Sequence, residues 1–346
     1  SPLRLGEPAL TLAFWALLAL SCAAQVGSPL LLGVDTPQHV ALGTTLGHLL
    51  RGDAAVARLY EAHWLNYYGL FHALLAVASL WVSPLLAARG LLVLSQVLWA
   101  VFSLAVMRRA RRPAWYALFT LPIAGGFLSQ WGFVNLSLGL PLAGLVYLGW
   151  RRWAFGARGA RRFAVLSAAG LLVSYSHVLA GFALGASIAF TELSLLPPFG
   201  VSHRRWWRRL PRHLAPLAPM FGYCALVAAL QHHHAGISAR WADAGVDAPA
   251  WYKLLRFGRY SLQTLALPST EWLVYGLLAV LVALGVSGAL ERRRIGSASR
   301  GFRGLALGWV LLYVLTPERL HGVAYAFERA APFALLFVVA ACPRPR

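Results

Sequence analysis

Long runs of apolar residues constrain this chain more than any other feature of its sequence. A membrane-spanning helix needs about 20 mostly apolar residues, and fewer where it is packed inside a bundle. The residues are 59% apolar and 12% charged, whereas soluble domains are usually about 25% charged. We predict an all-α polytopic membrane protein with a single transmembrane domain over 1–346. About ten spans are predicted, at 8–27, 88–107, 114–126, 134–150, 163–176, 178–196, 214–231, 272–290, 304–316 and 324–342.

The basic residues indicate how these spans are oriented. They cluster between apolar stretches, at 108–112, 151–162, 204–212 and 292–303, as cytoplasmic loops do under the positive-inside rule. With the N-terminus inside, 22 of 31 lysines and arginines fall on the inner side and 8 of 11 acids on the outer side. We therefore expect a multi-pass protein of the bacterial inner (plasma) membrane with both termini cytoplasmic. The net charge of +20 does not indicate nucleic acid binding, because no folded basic face remains once the spans are removed.

Two long outer segments, about 28–87 and about 232–271, are predicted between these spans. The apolar stretch 64–82 is predicted not to cross the membrane, because a crossing there would place the arginines of 108–112 outside. It opens with aromatic and polar residues typical of the interface, so we predict a helix lying at the outer surface. Residues 36–50 carry apolar groups at helical spacing and form a second predicted amphipathic surface helix.

Asp35 follows the first span, in the sequence LLGVDTPQHVA at the predicted outer surface. Ionisable groups at membrane depth are costly and are usually functional, so its carboxylate is a candidate proton acceptor. His39 comes four residues later, on the same helical face, and is a candidate partner for that proton. The alternative interpretation is structural: Asp35 or Thr36 caps the helix, and Pro37 occupies its first turn.

Candidate binding residues lie in the later outer turns. Arg329 is placed at the outer end of the last span, where a guanidinium favours a carboxylate or a lipid phosphate. Pairing with Glu328 or snorkelling to the interface is the alternative for this arginine. Arg319 belongs to the same rim. His177, in SYSHVLAG between two short spans, can face a cavity or can be hydrogen-bonded locally within its turn.

The turn LSQWGFVNLSLG contributes Gln130 and Asn135, whose amides can hold sugar hydroxyls or can simply satisfy the loop. Tyr67, at the polar and aromatic opening of 64–82, completes the candidate substrate-binding set. The HHH sequence at 232–234 does not indicate a metal site, because adjacent side chains project in different directions. We predict no metal site and no cofactor.

This arrangement resembles the polytopic GT-C glycosyltransferases. The shared features are one span, a long first outer loop with an acid just after that span, and two surface helices. The next span opens with Ala87, Ala88 and Arg89 and ends in a basic cluster. The resemblance implies a polyprenyl-phosphate sugar as donor, a glycan, lipid or protein as acceptor, and the lipid bilayer as the setting.

By position, the resemblance implies roles for several residues. Asp35 matches the acid used as catalytic base, and Arg329 resembles a late arginine associated with the donor phosphate. The turn from Gln130 to Asn135 resembles the second outer loop of the mannosyltransferase-like branch. That loop carries an acid pair in the metal-dependent branches and has no acid here, so a divalent metal is not supported.

Two other functions remain open on the sequence alone. A transporter or flippase for a lipid or small solute would need polar groups near mid-membrane, with broken helices or inverted repeats. Most ionisable groups here are predicted at the outer rim, and no internal repeat is visible. A non-catalytic membrane subunit would tolerate single substitutions of the rim residues but not of its apolar packing faces.

Overall fold

Helices make up nearly all of the regular structure. The computed structural model describes residues 3–28, 31, 33–156, 159–195, 203–233, 249–262, 276, 297–316, 319–320, 323–324 and 328–342. The helices are α1 (Leu3–Gly27), α2 (Thr36–Leu50), α3 (Ala54–Ala57), α4 (Leu70–Ala78), α5 (Pro84–Arg109), α6 (Leu121–Ala124), α7 (Phe127–Gln130), α8 (Val134–Ala154), α9 (Ala160–Ser176), α10 (Val178–Leu193), α11 (His203–Leu214), α12 (Ala218–His233), α13 (Ala250–Leu262), α14 (Ser297–Leu315) and α15 (Ala331–Ala341). Short 3₁₀ segments lie at Ala114–Thr120, Ala215–Leu217 and Glu328–Ala330, and β1 (Arg319–Leu320) pairs antiparallel with β2 (Val323–Ala324).

Three helical stretches are long and apolar enough to cross a membrane: Pro8–Gly27, Pro84–Arg109 and Trp206–Leu230. Two shorter apolar helices, Val178–Leu193 and Gly301–Leu315, accompany them. On α1, large apolar side chains such as Leu12 and Leu20 are about two-thirds exposed. An apolar surface of this kind needs a non-aqueous neighbour. The helical fold and its apolar helices therefore belong to a membrane protein.

Several predicted boundaries differ from the structure. The helix predicted at 36–50 is present with those bounds. The helix predicted at 64–82 is confined to α4, because the Asn66 side chain bonds the His63 carbonyl and the Tyr68 N–H in a turn before it. The stretch 114–126 is not one helix, since Pro122 lacks an N–H and Gly125 and Gly126 follow. The predicted loop 232–271 contains α13, and the predicted span 272–290 lies outside the described residues apart from 276.

The last helix, α15, lies at the centre of the apolar core. Its sequence APFALLFVVAA is apolar on every side, which is typical of a helix surrounded by others. Phe333 and Phe337 pack against Trp99 and Phe102 of α5. At the far end, the Arg112 guanidinium donates to the terminal carbonyls of Ala340 and Ala341, which satisfies acceptors that a helix end leaves open. Because α15 is buried and bonded in this way, the 3₁₀ turn that directly precedes it is held in place, and this turn carries Arg329.

A close backbone approach positions the segment between α1 and α2. The Val34 N–H donates to the Gln130 carbonyl and the Asp35 N–H to the Trp131 carbonyl, each at 3.0 Å. Gly132 has φ +77°, and a Cβ there would lie 2.5 and 2.6 Å from the backbone nitrogens of Thr36 and Asp35. Since only glycine leaves this space empty and adopts this backbone freely, Gly132 sets the position of Asp35.

Gly132→Ala tests this constraint, and Gly52→Ala is its matched control. Both glycines have similar positive φ angles (+77° and +75°), but a Cβ at Gly52 would meet nothing within 4 Å. The control should lose only the backbone preference, about 1–2 kcal/mol, whereas Gly132→Ala should lower the unfolding temperature further because it displaces the Asp35 segment. Thermal unfolding of the purified protein in detergent measures both. Equal losses in the two variants would show that the close approach is unimportant.

Candidate functional site

Five of the residues singled out in the sequence line one cavity of about 250 Å³. They are Asp35, His39, Asn135, His177 and Arg329, and we call this space the Asp35 cavity. Gln38, Leu42, Tyr68, Phe133 and Leu136 complete its lining. The contributing elements are α2, the turn before α4, the start of α8, the turn between α9 and α10, and the 3₁₀ turn before α15.

The Asp35 carboxylate does not cap the helix that follows it. Asp35 precedes α2, in the N-cap position, with an α-region backbone (φ −91°, ψ −5°). Within the described residues, its side chain makes no capping hydrogen bond to α2. An N-cap aspartate normally accepts from the second or third N–H of its helix. The carboxylate is therefore left to serve the cavity that it lines.

Arg329 supplies a cation to the same cavity, from the 3₁₀ turn that precedes α15. Its guanidinium carbon lies 4.3 Å from the centroid of the Phe133 ring, a cation–π arrangement. Phe133 in turn stacks on Trp131, with 6.4 Å between the ring centroids. A guanidinium stays protonated at neutral pH, so Arg329 is a fixed cation of this cavity.

His39 and His72 form a hydrogen-bonded pair beside Asp35. Nδ1 of His39 lies 2.9 Å from Nε2 of His72. Burial lowers the pKa of His39, although the Asp35 charge opposes this, and burial together with His39 lowers the pKa of His72 to about 4. Both rings are therefore neutral at pH 7, so that one donates its N–H and the other accepts.

His177 is held in one tautomer by the helix that it precedes. Its Nδ1 accepts from the Leu179 N–H at 3.0 Å, which caps α10. Burial, followed by the charges of Arg329 and His39, lowers the pKa of His177 to about 3. In the neutral ring the proton must then lie on Nε2, because Nδ1 is occupied as an acceptor. The ring stacks on Tyr68 at 6.0 Å between centroids.

The side-chain amide of Asn135 uses its oxygen in a structural hydrogen bond and leaves its nitrogen unpaired among the described residues. Only 2% of the residue is exposed, and its Oδ1 accepts from the Phe71 N–H at 3.0 Å, near the start of α4. Among the described residues its buried Nδ2 has no hydrogen-bond partner. A buried unsatisfied donor costs about 1–3 kcal/mol. Asn135 is thus a lining residue of the Asp35 cavity with an unpaired, buried amide donor.

The remaining candidates lie elsewhere. Gln130 contributes its carbonyl to the bond with Val34, and its side chain does not line the Asp35 cavity. Tyr67 lines a neighbouring cavity. Arg319 lies in β1, and its side chain is outside the described part of the molecule.

Sequence reasoning did not single out several residues of this site, among them Tyr68, His72 and Phe133. Tyr68 directly follows the predicted Tyr67, but sequence order does not say which of two adjacent tyrosines in a turn faces a given cavity. His72 could have been found, because it is an ionisable side chain in the otherwise apolar α4, LFHALLAVA. Phe133 carries no polar group, so that the sequence offers no signal for it.

The sequence analysis predicts no metal site, and this prediction concerns the arrangement of His, Cys, Asp and Glu side chains. In the described ranges, no group of three or more His, Cys, Asp or Glu side chains is placed to hold a metal ion. The side chains of the HHH sequence at 232–234 are outside those ranges.

The Asp35 cavity offers one carboxylate, one cation and neutral donors. This set is suited to a phosphorylated, hydroxyl-bearing ligand and to proton transfer.

Comparison with protein-family models, with curated proteins and with solved structures found no match to this chain. The functional interpretation therefore depends on the chemistry of the Asp35 cavity and on the membrane character of the helices.

The depressed histidine pKa values predict a loss of stability on acidification. The pKa is about 4 for His72 and about 3 for His177, against about 6.5 for an unperturbed histidine. The unfolded state therefore binds more protons, and stability falls as pH drops from about 6.5 towards 4. Unfolding temperatures measured from pH 7 to 4.5 should fall less steeply in a His72→Asn/His177→Asn variant.

His63→Asn, which removes an exposed histidine, is the control, and its unfolding temperature should fall with pH as steeply as that of the wild type. The prediction would be contradicted if the wild type, the double variant and His63→Asn all showed the same dependence of unfolding temperature on pH.

Proposed function

We propose that this chain is a polytopic membrane glycosyltransferase of GT-C type. In this proposal about ten spans cross a bacterial inner membrane, both termini are cytoplasmic, and the Asp35 cavity opens to the outer face. The enzyme moves a sugar from a polyprenyl-phosphate donor to a hydroxyl of a glycan, lipid or protein acceptor. The observation that carries the proposal is that Asp35 and Arg329, far apart in the sequence, line one cavity.

The donor phosphate is assigned to Arg329. A guanidinium binds phosphate oxygens with directed, charge-assisted hydrogen bonds, and Phe133 holds this one from its side. As the bond between the anomeric carbon and the phosphate oxygen breaks, the phosphate gains negative charge. A fixed cation stabilises that charge more in the transition state than in the bound donor. The lipid tail would lie among the apolar helices.

The acceptor hydroxyl is assigned to Asp35. Its oxygen attacks the anomeric carbon while its proton passes to the carboxylate, and the bonding electron pair of the broken bond leaves with the phosphate. General-base help of this kind contributes about 10²–10⁴-fold. A single direct displacement inverts the configuration at the anomeric carbon.

Asp35→Asn should lower kcat by at least about 10²-fold, because the amide cannot accept the proton. The protein should fold normally, since the Asp35 side chain makes no capping bond within the described structure. The measurement uses purified protein in nanodiscs with a panel of radiolabelled polyprenyl-phosphate sugars. Asp53→Asn is the matched control, because Asp53 caps α3 on the same segment and asparagine caps equally well.

Full activity in Asp35→Asn would refute the assigned base. Accumulation of a labelled compound inside vesicles without any new glycosidic bond would favour the transporter alternative instead.

We assign the buried Asn135 amide to the donor sugar, and Asn135→Asp tests that assignment. Aspartate keeps an oxygen for the Phe71 N–H but replaces the Nδ2 donor with an acceptor. The donor KM should rise about tenfold or more, since a lost hydrogen bond is worth about 1 kcal/mol and the new charge repels the phosphate. Ser137→Ala on the same helix is the control. An unchanged donor KM in Asn135→Asp would remove the amide from the site.

A further inference from the structure

A second cavity, of about 310 Å³, adjoins the Asp35 cavity. One wall consists of Leu42, Leu46 and Leu49, which share a face of α2 by their spacing. Three tyrosines, Tyr60, Tyr67 and Tyr68, belong to the segment that closes it. We call it the tyrosine cavity; Thr45, Glu61, Ala62, His63, Asn66 and His72 complete its lining.

The two cavities are adjacent. Leu42 and Tyr68 line both of them. His72 lines the tyrosine cavity and is hydrogen-bonded to His39, which lines the Asp35 cavity. A ligand in the tyrosine cavity therefore lies next to the carboxylate proposed as the base.

Backbone bonds hold the tyrosine-bearing segment in place. The Val178 N–H donates to the Tyr67 carbonyl at 2.9 Å, and the Gly69 N–H donates to the Tyr175 carbonyl at 2.8 Å. The Tyr223 hydroxyl donates to the Asn66 carbonyl at 2.8 Å. The cavity is thus formed before a ligand arrives, which reduces the entropy that binding must overcome.

The charged side chains that line the two cavities differ, so the two cavities suit different ligands. The described residues that line the tyrosine cavity include the Glu61 carboxylate but no arginine or lysine, so a phosphate would be repelled there. Arg329 lines only the Asp35 cavity of the two. Tyrosine rings pack on the C–H faces of a sugar ring, and a carboxylate accepts from sugar hydroxyls. A volume near the lower end of ligand pockets, about 300–1,000 Å³, suits a short saccharide.

We infer that the tyrosine cavity is the acceptor subsite and that the acceptor presents an uncharged saccharide, stacked on the tyrosines, to Asp35. This inference rests on the proposed glycosyl transfer. The donor phosphate occupies the Asp35 cavity beside Arg329, and the acceptor saccharide enters from the tyrosine cavity. The attacking hydroxyl then reaches Asp35 past Leu42 and Tyr68, which line both cavities.

A binding measurement tests the subsite without requiring turnover. Saturation-transfer difference NMR is recorded on the protein in nanodiscs with methyl α-D-mannopyranoside, methyl α-D-glucopyranoside and methyl β-D-galactopyranoside as probes. Tyr67→Ala should weaken binding of the preferred glycoside about threefold to tenfold, as expected for a lost aromatic stacking contact. Leu46→Trp should abolish binding by filling the cavity, whereas Leu50→Trp, one turn further along α2 and outside the lining, should not.

Comparing glycoside binding with sugar transfer in these variants distinguishes a failure of the acceptor subsite from a failure of the proposed transferase function. Asp35→Asn should retain glycoside binding while losing sugar transfer from the polyprenyl-phosphate panel. Equal binding by wild type, Tyr67→Ala and Leu46→Trp, or no binding of any probe by the wild type, overturns the subsite even if transfer is observed. In a further outcome, the wild type binds a glycoside, Leu46→Trp abolishes that binding, and no sugar is transferred from any donor. The tyrosine cavity would then be a saccharide site, but its acceptor role and the transferase proposal would both be overturned.

Discussion

Two backbone hydrogen bonds between the segment after α1 and the turn before α8 determine where the Asp35 carboxylate lies. They join Val34 to Gln130 and Asp35 to Trp131, and Gly132 leaves room for the approaching backbone. Polar backbone groups buried in an apolar surrounding must find partners of this kind. The same turn leads into Phe133 and Asn135, so a single backbone contact brings the carboxylate, the ring that supports Arg329 and a buried amide together.

The electrostatics of the Asp35 cavity follow from this arrangement. The Arg329 guanidinium is a fixed positive charge, because a guanidinium stays protonated at neutral pH. Burial lowers the pKa of His39, His72 and His177, so these rings are neutral hydrogen-bonding groups at pH 7. The result is a site with one strong cation, one carboxylate and directed neutral donors. Such a site can bind a phosphate and accept a proton at once, as the proposed transfer requires.

Some parts of this site are predictable from the sequence and others are not. An acid directly after a long apolar helix and an arginine at the start of the last apolar helix are costly features, so Asp35 and Arg329 stand out in the linear sequence alone. Tyr67 and Tyr68 illustrate the limit, because adjacent residues of an irregular segment face different cavities and no periodicity distinguishes them. The breaks in the apolar stretches are harder still to predict, since Pro122, Gly125 and Gly126 divide 114–126 into a 3₁₀ segment and a short helix.

The sequence by itself determined the membrane character of the helices, the uneven distribution of charge between the loops and the bounds of α2, because these depend on composition and on local spacing. Only the tertiary structure decided that Asp35 shares a cavity with Arg329, that Asn135 lines the same cavity, and that a tyrosine-lined space without a cation among its described residues adjoins it. Those facts depend on packing between distant segments around the buried α15 helix. A linear pattern carries no information about which distant residues such packing will bring into contact.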